Sequence, residues 1–319
     1  MDTIKRVNKS SLNVVQKYKG ELILLLITLF WSATFVIVKE LLSDISSMLF
    51  IGLRFLIAGL ILLPIIIRKK IKWKGVNFKL PMILGVLLFL GFSTQTIGLK
   101  YTSATKSAFL TGSAVIIIPI LQTLIEKRKP KNGSIIGVVI VLFGILLLSG
   151  GNSIFTLLED LVANFNFGDG MTLVCALFFA LYVVYLDLIS NKYNFWLLLM
   201  IQIVVTGFLA FVFSFIFDFT NFESIKINLT PQLGTGILYT AIFASLFTTA
   251  LQTKYQKLVT PTKAGIVYSF EPIFAAVIAY LAIGERITTF GLIGASLIFI
   301  GLIISEVFDD IIKYLRKSV

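Results

Sequence analysis

Long apolar stretches of about 20 residues, separated by short clusters of Lys and Arg, constrain this chain most. A helix of that length crosses about 30 Å of hydrocarbon, and no other open structure satisfies its backbone there. The stretches predict ten helices, near 21–42, 46–67, 80–98, 104–125, 134–150, 169–190, 195–217, 232–253, 262–283 and 287–307. The expected fold is an all-α integral membrane protein. Hydrophobic residues make up 57% of the 319, and only 14% are charged, against about 25% in a soluble domain. The roughly 10-residue alternating segments of a membrane β-barrel are absent.

The chain also reads as one passage written twice. QTIGLKYTSATK at 95–106 returns as QTKYQKLVTPTK at 252–263. An offset of 157 aligns Gln95 with Gln252, Lys100 with Lys257, Gly137 with Gly294 and Gly144 with Gly301. Helices 1 and 2 align with helices 6 and 7 at an offset of 148, which pairs Phe30-Trp31 with Phe178-Phe179 and Arg54 with Gln202. Five spans per copy is an odd number. The second copy therefore starts on the opposite side of the membrane, as an inverted-topology repeat does. The expected organisation is a tail over 1–19, a first copy over 20–150, an external linker over 151–167, a second copy over 168–307 and a tail over 308–319. A short amphipathic helix is expected in the linker, at SIFTLLEDLVANF.

Charge sets the orientation. Of the 28 Lys and Arg, 22 fall on the side of the two termini and of the even-to-odd loops. Only Lys100, Lys106, Lys226 and Arg286 fall on the other side. The positive-inside rule then puts both termini in the cytoplasm of a multi-pass cell-membrane protein. The net charge of +12 is thus a topology signal, and no nucleic-acid partner is expected. The chain has no histidine and one cysteine, Cys175, which excludes an intrachain disulfide and removes the commonest metal ligand. No metal and no cofactor are expected. No GxxxxGK[ST] pattern is present to hold ATP.

The stretches GELILLLITLFWSATFVIVKELL and LFIGLRFLIAGLILL, with Trp31, Ser32, Phe35, Lys39 and Arg54-Phe55, resemble the opening of an EamA domain. GDGMTLVCALFFALYVVYLDLI resembles its second copy, and SFEPIFAAVIAYLAIGERIT at 269–288 resembles its Glu-Pro and Gly-Glu-Arg segment. The resemblance covers about 20–307 and implies the drug/metabolite transporter superfamily, with a central cavity between two repeats. Members of the superfamily mostly export amino acids or related metabolites. Helix 4, SAVIIIPILQTLIEKRKP, lacks the Gly-Glu-Arg turn, so its equivalence to helix 9 is loose at this level.

Glu271, followed by Pro272, sits near the middle of helix 9. A carboxylate there is costly unless it is paired, protonated or facing water. It is the candidate proton carrier, and the alternative is a structural acid bonded to a neighbouring backbone or to Arg54. Arg54 is either a clamp for a substrate carboxylate or a brace for helix 2. Lys39 is expected to snorkel to the headgroups, and Glu285-Arg286 to brace the turn between helices 9 and 10. The candidate cavity set is Trp31, Ser32, Thr34, Arg54, Gln95, Thr111, Tyr182, Gln202, Thr248, Gln252, Tyr268 and Glu271. Glycines spaced by seven on helices 5 and 10 allow close packing within the chain or in a homodimer. The partners expected are the bilayer and a small-molecule substrate. The function expected is a secondary transporter that exports amino acids or related small metabolites by alternating access with proton coupling. Its alternatives are an importer or drug-efflux member of the same superfamily, an intramembrane enzyme, and a non-transporting sensor or scaffold.

Overall fold

The computed structural model describes residues 18–69, 71, 75–149, 165–283 and 288–317. Residues 153–164 of the expected linker helix, the Glu285-Arg286 turn and most of the N-terminal tail fall outside these residues. Every regular element among the described residues is helical. They are α1 (Lys19–Leu41), α2 (Ser47–Lys69), α3 (Lys79–Tyr101), α4 (Ala104–Glu126), α5 (Asn132–Ser149), α6 (Phe167–Ser190), α7 (Phe195–Phe219), α8 (Pro231–Leu258), α9 in two pieces (Pro261–Tyr268 and Glu271–Ile283) and α10 (Thr289–Lys317).

Eight of these, all but α5 and α9, are long and apolar enough to cross a membrane. The sequence predicts ten. The described apolar part of α5 is 17 residues long, Asn132–Leu148, and α9 is broken at Ser269-Phe270, so neither of its pieces has the length alone. Pro272 produces that break: without an N–H it cannot bond to the Tyr268 carbonyl four residues back. The described part of α10 runs ten residues past its expected end, to Lys317.

Helix ends follow side-chain chemistry. The Asn166 side chain accepts from the Asp169 amide (3.1 Å), and the Asp169 carboxylate accepts from the Asn166 amide (2.9 Å), a reciprocal box that starts α6. Ser103 and Thr230 cap α4 and α8 through bonds from the Lys106 and Leu233 amides, and Pro231 and Pro261 occupy first-turn positions that need no donor. Lys127, left-handed at φ 55°, ends α4.

The packing obeys an exchange of the two copies. α3 packs on α6 and α7, while its counterpart α8 packs on α1 and α2. α4 packs on α6, and α9 packs on α1. The α2–α7, α4–α9 and α5–α10 contacts each map onto themselves. The glycines make this concrete. A Cβ on Gly137 would meet the Gly301 carbonyl oxygen at 2.7 Å, and one on Gly144 would meet that of Gly294 at 2.7 Å. Exchanging the copies converts the first contact into that of a Gly294 Cβ with the Gly144 carbonyl oxygen, at 2.5 Å. Only glycine allows backbones this close, so the glycine spacing serves the α5–α10 interface inside the chain.

Lys39 departs from expectation. It does not snorkel. Its ammonium donates to the carbonyls of Leu99 (2.6 Å), Lys100 (3.3 Å) and Thr102 (2.8 Å), satisfying the orphan acceptors at the C-terminus of α3. The α7–α8 connection is held in place as well. It pairs with the α1–α2 turn through Ser46 N to Lys226 O (3.0 Å) and Asn228 N to Asp44 O (2.8 Å). Glu223 from the same segment accepts from the Ser47 amide and hydroxyl and pairs with Lys100 at 2.8 Å.

Candidate functional site

Where the two copies meet, a cavity of about 70 Å³ lies between α1, α3, α4, α6, α8 and α9. Twelve of its eighteen lining residues form repeat-equivalent pairs. Trp31 and Phe179 both line it, as do Thr34 and Tyr182, Gln95 and Gln252, Thr111 and Tyr268, Gly112 and Ser269, and Ala114 and Glu271. α4 is interrupted at Ser113 and α9 at Ser269-Phe270, and Ser113 and Phe270 are equivalent at the offset of 157. The equivalence of helices 4 and 9, loose in sequence, is close in structure. Each helix carries its own proline beyond the break, Pro119 and Pro272. Broken helices bring backbone ends and polar side chains to a site that uniform helices would cover with methyl groups.

Of the twelve candidate residues, eight line the cavity: Trp31, Thr34, Gln95, Thr111, Tyr182, Gln252, Tyr268 and Glu271. Ser32, Arg54, Gln202 and Thr248 lie behind the wall. The Ser32 hydroxyl donates to the Thr28 carbonyl at 2.7 Å. Thr248 accepts from the Trp31 indole (3.2 Å), which also reaches the Ala244 carbonyl (3.2 Å). Thr240–Phe247 of α8 is wound as a π-helix, and such a turn shifts carbonyls out of the regular ladder.

Arg54 uses the same segment. It is 2% exposed, donates from Nε to the Ser245 hydroxyl (2.8 Å) and reaches the Ala244 carbonyl (3.5 Å). Its guanidinium lies 4.5 Å from the ring centre of Phe92, with Phe55 and Phe50 next. It therefore braces α2 against α8 and α3, and no carboxylate pairs with it among the described residues. Its counterpart Gln202 accepts from the Tyr182 hydroxyl (2.5 Å) and donates to the Leu198 carbonyl (3.0 Å) and Thr253 (3.3 Å).

One end of the cavity is crossed by a polar lattice. Gln252 donates to Gln256 (2.9 Å) and to the Tyr268 hydroxyl (3.0 Å), Tyr268 donates to Gln256 (3.2 Å), and Gln256 donates to the Val183 carbonyl (2.7 Å). The equivalent positions at the other end are Gln95, Leu99 and Thr111, and they form no lattice. Gln256 was missed in the sequence. Its signal was available, one turn beyond Gln252 on the same face. Phe179 was equally legible as the repeat partner of Trp31.

Glu271 is the first residue of the second piece of α9 and is 9% exposed. It makes no hydrogen bond or ion pair among the described residues. It also carries the only charge on the cavity wall among them. Backbone N–H groups at a helix start favour a carboxylate in that position. Neither alternative partner considered for it, Arg54 or a neighbouring backbone, holds it. Among the described residues, no group of three or more Cys, Asp or Glu is placed to hold a metal ion.

The profile of the EamA-like transporter family matches residues 18–150 and again 166–306. The chain belongs to the EamA-like transporter family. An uncharacterized transporter of Archaeoglobus fulgidus is 32% identical over 290 residues, covering 91% of this chain and 86% of its own. The uncharacterized transporter YoaV of Bacillus subtilis is 27% identical over 286 residues, covering 86% and 92%. A crystal structure of a protein 14% identical in sequence superposes with a TM-score of 0.72 over 91% of this chain and 97% of its own. At that identity the likeness concerns the fold. The two family matches fall on the two copies, and the helix pairing of this EamA-like chain follows their exchange. With its eight long apolar helices, it is a multi-pass membrane protein.

Proposed function

We propose that this EamA-like chain is a secondary transporter that exports amino acids or related small metabolites by alternating access. The observation that carries the reading is the cavity between the two copies, lined largely by repeat-equivalent side chains near two equivalent helix breaks. In this reading all ten helical segments cross the membrane, the short α5 and the broken α9 included. The second copy is inverted, and both termini are cytoplasmic in the cell membrane, as the Lys and Arg distribution supports.

A lattice at one end of the cavity and none at the other suits a protein with two gates, of which one is closed. On the assigned orientation the lattice lies at the cytoplasmic end. Exchange of the copies would form the opposite closure in the alternate state. Glu271 carries the proton in this scheme, because it is the single ionisable wall group without a partner. The relatives named as transporters support the same reading.

Efflux from proteoliposomes over a metabolite panel, with and without an imposed pH gradient, tests it. The proposal expects substrate-dependent flux that the gradient accelerates and that Glu271→Gln uncouples from the gradient. Absence of flux for every compound under every gradient would refute transport. Full, equally gradient-dependent flux in Glu271→Gln would refute the proton role alone.

A further inference from the structure

The cavity's polar groups divide into those already engaged and those left over. Trp31, Thr34, Tyr182, Gln252, Tyr268 and Ser269 each have a hydrogen-bond partner in the protein. Three do not. Glu271 and Gln95 form no hydrogen bond among the described residues. The Thr111 hydroxyl is buried, with only the weak Cys175 thiol beside it. Thr111, Gln95 and Glu271 all line the same cavity, Thr111 from the first piece of α4 and Glu271 from the second piece of α9, which pack together.

All three free groups can accept a hydrogen bond, and one is a carboxylate. No lysine or arginine of the described residues lines the wall, because Arg54 is held behind Phe92 by Ser245 and the Ala244 carbonyl. The rest of the wall combines five aromatic rings with the aliphatic side chains of Leu88, Val115, Ile118 and Val183. Trp31 and Tyr268 stand 5.6 Å apart, Phe92 and Phe179 stand 5.3 Å apart, and Tyr182 completes the set. Aromatic faces attract cations. An ammonium group has three donors and no acceptor, which matches three free acceptors on one cavity wall, one of them a carboxylate. A ligand carboxylate would instead be desolvated with no cation to receive it, beside an unpaired glutamate.

We infer that the ligand of this cavity is a small organic cation, a primary amine with a compact apolar body and no carboxylate. Glu271, Gln95 and Thr111 receive its ammonium. The inference deepens the transporter reading and rests on the same cavity, but it is a statement about binding and is tested by binding. Among amino-acid-related metabolites it selects the decarboxylated ones.

The test is titration calorimetry on purified full-length protein with three matched probes: leucine, its amine counterpart 3-methylbutylamine and its acid counterpart 4-methylpentanoate. The amine is expected to bind at least about tenfold more tightly than either of the others. Glu271→Gln should abolish that preference while the ligand-free melting temperature stays near wild type, Glu271→Asp should keep part of it, and Thr111→Val should weaken the amine several-fold. Tighter binding of leucine or the acid, a preference that survives in Glu271→Gln, or no binding of any probe to the folded protein would overturn the inference. A flux of amino acids that excludes the amine would overturn it too and leave transport standing. Amine binding without any flux would do the reverse.

Discussion

Of the helices broken among the described residues, α1 at Ala33, α4 at Ser113 and α9 at Ser269-Phe270, the last two are the same device filled with different chemistry. Both break at equivalent positions, both carry a proline beyond the break, and both present the residue after it to the cavity. That residue is Ala114 in the first copy and Glu271 in the second. The surroundings differ in the same sense. Gln252, Gln256 and Tyr268 lock together around the second copy's end of the cavity, whereas Gln95, Leu99 and Thr111 leave the first copy's end without such bonds. Backbone packing has kept the symmetry because glycine-to-carbonyl contacts tolerate no added atom. The side chains around the cavity have no such constraint, and there the copies have diverged. Fold is carried by what the copies share, and function by what they do not.

The largest effect is expected where the symmetry is tightest. A Cβ on Gly294 would lie 2.5 Å from the Gly144 carbonyl oxygen and from the Leu148 amide. Gly294→Leu should cost about 3 kcal/mol or more and largely abolish the folded monodisperse protein on size exclusion. Gly234→Ala, with nothing within 4 Å of the added carbon, should leave elution and melting unchanged. Equal tolerance of both would break the claim that the α5–α10 glycines hold the two copies together.

A smaller effect is expected where the copies differ. Gln256→Leu places at the second copy's end the leucine that position 99 carries in the first. It removes the bond to Val183 and two within the lattice, for about 1–2 kcal/mol in a membrane interior. A cysteine at Ser269 in a Cys175→Ser background should then react roughly tenfold faster with a water-soluble maleimide. An unchanged rate would mean that the lattice closes nothing.

The smallest effect concerns Lys39. Its repeat counterpart is Asp187, which cannot donate to carbonyls, and α8 ends instead in a short 3₁₀ turn at Gln256–Leu258. Lys39→Met should lower stability by about 0.5–1 kcal/mol through loss of the cap on α3, read as a modest fall in melting temperature. A fall as large as that of Gly294→Leu would assign Lys39 a role beyond capping.

Much of this was legible in the sequence. Eight of the ten expected spans followed from apolar length, and the repeat was read from Gln, Lys and Gly recurring at constant offsets. Eight of the twelve candidate residues line one cavity. What was not legible depends on three-dimensional routes. Nothing in the pattern distinguishes Lys39 reaching the end of α3 from Lys39 reaching headgroups, since both need only a long side chain near a helix end. Arg54 reads as a ligand clamp until Ser245 and the π-wound segment of α8 are seen to hold it behind Phe92. The kink at Ser113 is invisible because Pro119 lies six residues beyond it, and only its equivalence to Phe270 explains its place.

The central claim is that the two copies lie upside down relative to one another, around a shared cavity. Lys100 and Lys257 are equivalent residues, assigned to opposite membrane faces. Single cysteines at these two positions in a Cys175→Ser background, labelled in intact cells by a membrane-impermeant maleimide, test the claim directly. The account predicts that position 100 labels from outside and that position 257 labels only after the cells are opened. Labelling of both from the same side would contradict it.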